Sequence, residues 1–125
     1  MGIRENAEAI WDVLTPEQRS VINALNNHGG AAAAVHQQAL ADAIGMDKRR
    51  LQHILKDLNE LYGLPIGAND AGVFVMETEA ERGEVAGILR ARAISTLTRA
   101  QAINRIDRSQ FDGECEAVAQ GRLFD

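Results

Sequence analysis

The sequence predicts a mainly α protein with a small β-hairpin: a helix-turn-helix unit, two short strands and a long C-terminal helix. Three observations carry this expectation. Residues 37 to 56 (QQALADAIGMDKRRLQHILK) have helix-turn-helix spacing, residues 64 to 76 hold two short apolar runs around an Asn-Asp-Ala-Gly turn, and no proline interrupts the stretch from Glu79 to about Ile106. In the first of these, Ala41 sits where two helices approach closely and Gly45 can take a left-handed turn. Leu51 then returns to the core, with Leu40, Ile44 and Ile54 on the same side.

The elements follow in order. Residues 5 to 14 place Ala7, Ile10, Trp11 and Leu14 at helical spacing, so a short amphipathic helix is expected, with Trp11 anchoring this arm to the core. Thr15-Pro16-Glu17-Gln18 reads as a helix start: a threonine cap, proline at the first helical position and a glutamine completing a capping box. Val21, Ile22 and Leu25 form the buried stripe of that helix. Gly29-Gly30 is its expected stop, with His28 near the negative end of its dipole.

Ala31 to Val35 is apolar enough for a small strand whose partner lies further on. The second helix of the helix-turn-helix is expected to open at Asp47, whose carboxylate can cap free amides, and to run to about Tyr62. Leu51, Ile54, Leu55, Leu58 and Leu61 line one side of it. Arg49, Gln52, His53 and Lys56 recur at i, i+3, i+4, i+7 on the opposite side, a continuous polar stripe. Gly63 then caps the helix and Pro65 prevents its continuation. Leu64 to Gly67 and Val73 to Met76 become the two strands, joined through Ala68 to Gly72, whose Asn, Asp and Gly suit positive backbone dihedrals.

Beyond the hairpin, Thr78 and Glu81 make a second capping box. The helix they open carries Val85, Leu89, Ala93, Leu97, Ala100 and Ile103 along one side, flanked by Ile88 and Ile94. Three arrangements are open for it. It can pair with its equivalent in a second subunit through residues 85–106, fold back over the first helix and Trp11, or be loosened in its first turns by Gly83 and Gly87. The domain organisation expected is an N-terminal helical arm (1–14), a helix-turn-helix domain with hairpin (15–77), a long C-terminal helix (78–107) and a flexible acidic tail (108–125) in which Phe111, Leu123 and Phe124 are available for docking.

Composition bounds the function. The 125 residues, 46% apolar and 25% charged, suit one soluble globular domain, and the absence of a signal-peptide core or an 18-residue apolar run points to a cytoplasmic protein without membrane contact. Cys115 is the only cysteine, and His28, His36 and His53 are scattered, so neither a metal site nor any cofactor is expected. No nucleophile and base pair and no phosphate-binding glycine loop is recognisable, which argues against an enzyme.

The formal charge of −5 disfavours a polyanion partner on its face, but its distribution does not. Base is concentrated at Lys48, Arg49, Arg50 and Lys56, and again at Arg90, Arg92, Arg99, Arg105 and Arg108. Lys48, Arg49, Arg50, Gln52, His53 and Lys56 are therefore the candidate DNA-contacting residues, with Asn69 at the hairpin tip. Arg92, Arg99 and Arg105 form a possible secondary basic surface. The alternative is an ordinary solvated face in which Asp57 and Glu60 pair with the cations.

Residues 15 to 76 resemble the winged helix-turn-helix domains of bacterial and phage transcription regulators, particularly the deoxyribonucleoside-repressor and biotin-repressor type. The resemblance is carried by Leu40-Ala41, Ile44-Gly45, Lys48-Arg49-Arg50-Leu51, Ile54-Leu55, Leu58, Tyr62-Gly63-Leu64-Pro65-Ile66 and Gly72-Val73-Phe74-Val75. It implies that the helix from Asp47 lies in the major groove of double-stranded DNA and that the wing touches adjacent backbone or minor groove. The tip departs from the pattern by carrying Asn69 and Asp70 where such wings carry Arg or Lys. The function expected is a sequence-specific, dimeric DNA-binding regulator; the alternative is a protein-interaction or assembly module on the same fold.

Overall fold

The computed structural model describes residues 2–110. Those residues form a mainly helical protein with one antiparallel hairpin and a long C-terminal helix. The helices are α1 (Ile3–Asn6), α2 (Pro16–Leu25), α3 (Gln37–Ile44), α4 (Lys48–Glu60) and α5 (Glu79–Asn104), and the strands are β1 (Ile66–Asn69) and β2 (Gly72–Val75). Two compact units divide at Ile88 and Leu89.

In the first unit, the core joins all three helices of the helix-turn-helix region to the hairpin. Val21, Ile22 and Leu25 of α2, Leu40 and Ala41 of α3, Leu51, Ile54, Leu55 and Leu58 of α4, and Ile66, Val73 and Val75 of the strands are buried together. The arm before α2 is less regular than its periodicity suggests. α1 is a single turn and Glu8–Val13 is a 3-10 helix; Ile3 of α1, and Ala7 and Leu14 on either side of the 3-10 helix, are buried in the core, and no residue within the 3-10 helix is. Trp11 is half-buried against the core with the Arg4 guanidinium 3.6 Å from its ring centroid, so the aromatic anchors the arm through a cation–π stack as well as by burial.

Both capping boxes form. Gln18 N–H donates to Thr15 Oγ1 at 3.1 Å while Thr15 N–H donates to Gln18 Oε1 at 2.9 Å. At the start of α5, Glu81 N–H donates to Thr78 Oγ1 at 3.1 Å and Thr78 N–H to Glu81 Oε1 at 3.3 Å.

Several boundaries differ from the sequence expectation. α2 stops at Leu25 with Asn26 as its C-cap, before Gly29-Gly30, and the His28 ring bonds the Ala33 carbonyl at 2.9 Å instead of serving the helix end. Ala31–Ala33 is a 3-10 turn and not a strand; the pairing foreseen there is confined to Val35, which exchanges backbone hydrogen bonds with Val73 at 2.8 and 2.9 Å. The four consecutive alanines, Ala31 to Ala34, supply no β-branched bulk to hold an extended edge. Leu61 lies beyond the end of α4 and is 71% exposed, so the buried stripe ends at Leu58. The hairpin is tighter than expected. Asn69 pairs with Gly72, leaving Asp70 and Ala71 as the loop, and only Gly72 takes a positive φ, +133°.

Gly83 and Gly87 do not interrupt α5, which is helical from Glu79 to Asn104. Its first turns belong to the first unit, where Val85 lies over Gly67 of β1: a methyl on that glycine would come within 3.0 Å of Val85 Cγ2. In the second unit, residues 89 to 107 are all exposed, among them Leu89, Ile94, Leu97, Ile103 and Ile106. Arg108–Gln110 forms a 3-10 turn, and the tail residues Phe111, Cys115, Leu123 and Phe124 lie outside the described residues.

Candidate nucleic-acid interface

α3 and α4 meet through a three-residue turn that the sequence builds from one glycine and one alanine. Gly45 takes φ +78°, ψ +37°, and the amides of Gly45 and Met46 both donate to the Ala41 carbonyl, at 2.9 and 3.0 Å. This closes the end of α3 with a left-handed residue, and fully buried Ala41 lets α4 approach. Asp47 is the N-cap of α4 by backbone geometry, but its side chain makes no capping hydrogen bond. The first-turn amides of α4 thus lack a carboxylate partner from the cap residue.

α4 buries Leu51, Ile54, Leu55 and Leu58, which turns the opposite side outward. Lys48, Arg49, Arg50, Gln52, His53 and Lys56 are all exposed, as the periodicity predicts, because residues 49, 52, 53 and 56 cluster within about 100° of helix circumference. Their engagement differs. Arg50 is held by Glu17 of α2, with Nη2 to Oε1 at 2.9 Å and Nε to Oε2 at 3.3 Å. That contact lowers the Glu17 pKa, its hydrogen bond to Arg50 being the largest cause, and raises that of Arg50. Gln52 Nε2 donates to Gln37 Oε1 of α3 at 2.8 Å, and Lys56 lies 4.0 Å from Glu60. Among the described residues Lys48, Arg49 and His53 have no side-chain hydrogen bond or ion pair. Neither Glu17 nor Gln37 is on the polar stripe. The Glu17 contact spans 33 residues and the Gln37 contact 15, so no spacing rule along a single helix reveals them.

At the hairpin tip, Asn69 is a turn residue first. Its Oδ1 accepts from Ala71 N–H at 2.8 Å and Gly72 N–H at 3.2 Å, and its Nδ2 reaches the Ala31 carbonyl at 3.4 Å. Asp70 stands exposed beside it.

In the second unit, Arg92, Arg99 and Arg105 are exposed and form no ion pair among the described residues. Arg92 and Arg99, seven residues apart, share one face of α5, and Arg105 lies in the turn after its last residue. From Val85 to Ile106 the sequence contains no Asp or Glu, while four arginines fall in the same stretch. The acid of this chain is therefore excluded from the distal part of α5.

Among the described residues no helix is long and apolar enough to cross a membrane, and no cluster of three or more His, Cys, Asp or Glu is placed to hold a metal ion. A hollow of about 380 Å³ beside the arm is lined by Gly2, Ile3, Asn26, Asn27, Gly29, Val75 and Glu77, backbone and amide groups with a single carboxylate. Compared with protein-family models, curated proteins and solved structures, the chain matches none.

Proposed function

We propose that this chain is a sequence-specific double-stranded DNA-binding protein of the winged helix-turn-helix kind, a dimeric transcription regulator of the cytoplasm that places α4 in the major groove. The observation that carries this reading is the exposed face of α4. Its first two turns present Lys48, Arg49 and His53 without partners among the described residues, opposite a fully packed apolar side. A recognition helix needs that division: apolar contacts fix its angle, and long cationic and amide side chains reach phosphates and base edges. Arg90, Arg92 and Arg99 in the distal part of α5 add basic surface, in a stretch from Val85 to Ile106 that contains no Asp or Glu.

Gel shift with selected duplex tests the proposal. Binding is expected to weaken steeply with salt, and Arg49→Ala is expected to cost roughly 1–3 kcal/mol if Arg49 reads a base edge. Selection from random duplex should enrich a palindrome, the mark of two-fold symmetry. Absence of duplex binding at physiological salt rejects the reading.

A second reading, a winged-helix protein-interaction or assembly module, is favoured by two observations. Asp70 occupies the hairpin tip, where a phosphate would be repelled, and large aliphatic side chains stand exposed along α5. It predicts no enriched duplex and a stoichiometric protein partner.

A further inference from the structure

Gln37 and Gln52 form a side-chain pair across the helix-turn-helix, on the surface that α4 turns outward. Gln37 opens α3 and Gln52 lies in the second turn of α4, and the Gln52 amide nitrogen donates to the Gln37 amide oxygen at 2.8 Å. A primary amide has two N–H donors and one carbonyl oxygen with two lone pairs. The bond to Gln37 consumes one donor of Gln52. It leaves the second N–H and both lone pairs available, and it sets which edge of the amide carries which group. A free glutamine rotates about its terminal torsion and offers donor and acceptor in either order, so fixing that torsion before binding removes an entropic cost from recognition.

An amide with one acceptor and one donor side by side matches adenine in the major groove, where N6–H₂ donates and N7 accepts. Guanine presents two acceptors there and cannot satisfy the carbonyl. We propose that Gln52 reads an adenine and that Gln37 is the positioning residue that holds its amide in the reading orientation. This inference rests on the DNA-binding role of α4. It goes beyond that role by naming the base and the pair of residues that selects it.

The same geometry separates Gln52 from its cationic neighbours. Arg50 is drawn toward Glu17, and Arg49 has no partner among the described residues to orient it. Of the stripe residues, Gln52 alone has its orientation set by a residue of α3.

The test is selection from random duplex DNA by the full-length wild type and by Gln52→Ala, Gln52→Glu and Gln37→Ala, with affinities measured on the winning sequence and on its single-base variants. Gln52 is exposed and Gln37 is half-buried at the first position of α3, and circular dichroism confirms that the variants fold. The wild type is expected to prefer an A·T pair at one position of each half-site by roughly tenfold or more over G·C, a typical discrimination for a bidentate amide contact. Gln52→Ala should abolish the preference at that position alone. Gln52→Glu should move it toward cytosine, whose amino group donates to a carboxylate. Gln37→Ala should weaken the A·T preference several-fold while leaving preferences at the other positions intact, a change that loss of stability would not produce. If the wild type enriches a sequence but Gln52→Ala leaves every base preference unchanged, the inference is overturned and DNA binding stands. If the wild type enriches nothing, DNA binding and the inference fall together.

Discussion

The Glu81 carboxylate accepts three backbone N–H groups, from Ala31, Glu77 and Thr78, and so ties the start of α5 to the turn that follows α2. These bonds lower its pKa, the Glu77 amide being the largest cause and the Ala31 amide the next. A carboxyl whose folded pKa is depressed contributes stability that is present above its unfolded pKa and is lost as pH falls through the folded value. Glu81→Gln is therefore expected to lower the melting temperature at pH 7. The gap from wild type should narrow as the pH falls below the ordinary carboxylate range, as thermal melts at a series of pH values would show. Gly72 makes a second residue-scale prediction. A Cβ there would lie 2.1 Å from the Val35 carbonyl oxygen, and φ is +133°, so both backbone clash and strain oppose any side chain. Gly72→Ala should cost roughly 2–4 kcal/mol in chemical denaturation. The turn glycine was legible in the sequence, but the close approach of Val35 was not, because it comes from the bridge between Val35 and Val73, 38 positions apart in the chain.

At the scale of elements, α4 shows where periodicity is sufficient and where it stops. Leu51, Ile54, Leu55 and Leu58 are buried as their spacing requires, and Leu61 continues the same spacing yet is 71% exposed. Spacing gives direction around a helix; it does not say where the helix or its neighbours end. After Glu60 the chain turns, Gly63 takes φ +66°, and Leu64 supplies the next buried aliphatic. Leu58→Ala is expected to destabilise by about 3 kcal/mol through loss of burial and the cavity left behind, whereas Leu61→Ala should fall within about 0.5 kcal/mol of wild type. Equal costs in urea melts would contradict this division. The capping boxes of α2 and α5 were legible for the opposite reason, since their partners lie three residues apart and need no tertiary context.

For the whole molecule, the open question is what the distal part of α5 meets. Ala86, Ala93 and Ala100 recur every seven residues, and Leu89, Thr96 and Ile103 do so three positions further on. That is the spacing of a coiled-coil seam with small residues on one side. In a parallel pairing Arg92 would face Leu97 of the second copy and Arg99 would face Asn104, while an antiparallel pairing would bring Arg92 toward Arg99 and repel. A parallel dimer is the expected state, and light scattering should report twice the chain mass of 13.6 kDa. Ala93→Glu, which puts a charge in the centre of the seam at a small cost in helix propensity, should give the single mass. Monomeric wild type at high concentration would reject the seam.

The sequence by itself determined the places of α2 to α5, the capping boxes of α2 and α5, the hairpin and the exposed basic face of α4, because each depends on residues within about one or two helical turns or one tight loop of each other. Tertiary structure alone decided the engagement of Arg50 and Gln52, whereas the Lys56–Glu60 pair is local to α4. Glu17 reaches Arg50 and Gln37 reaches Gln52 only after α2, α3 and α4 have packed through a shared core. The physical reason is range: backbone propensity and capping act between neighbours in the chain, whereas a side chain's hydrogen-bond partner is fixed by packing angles that no local pattern encodes.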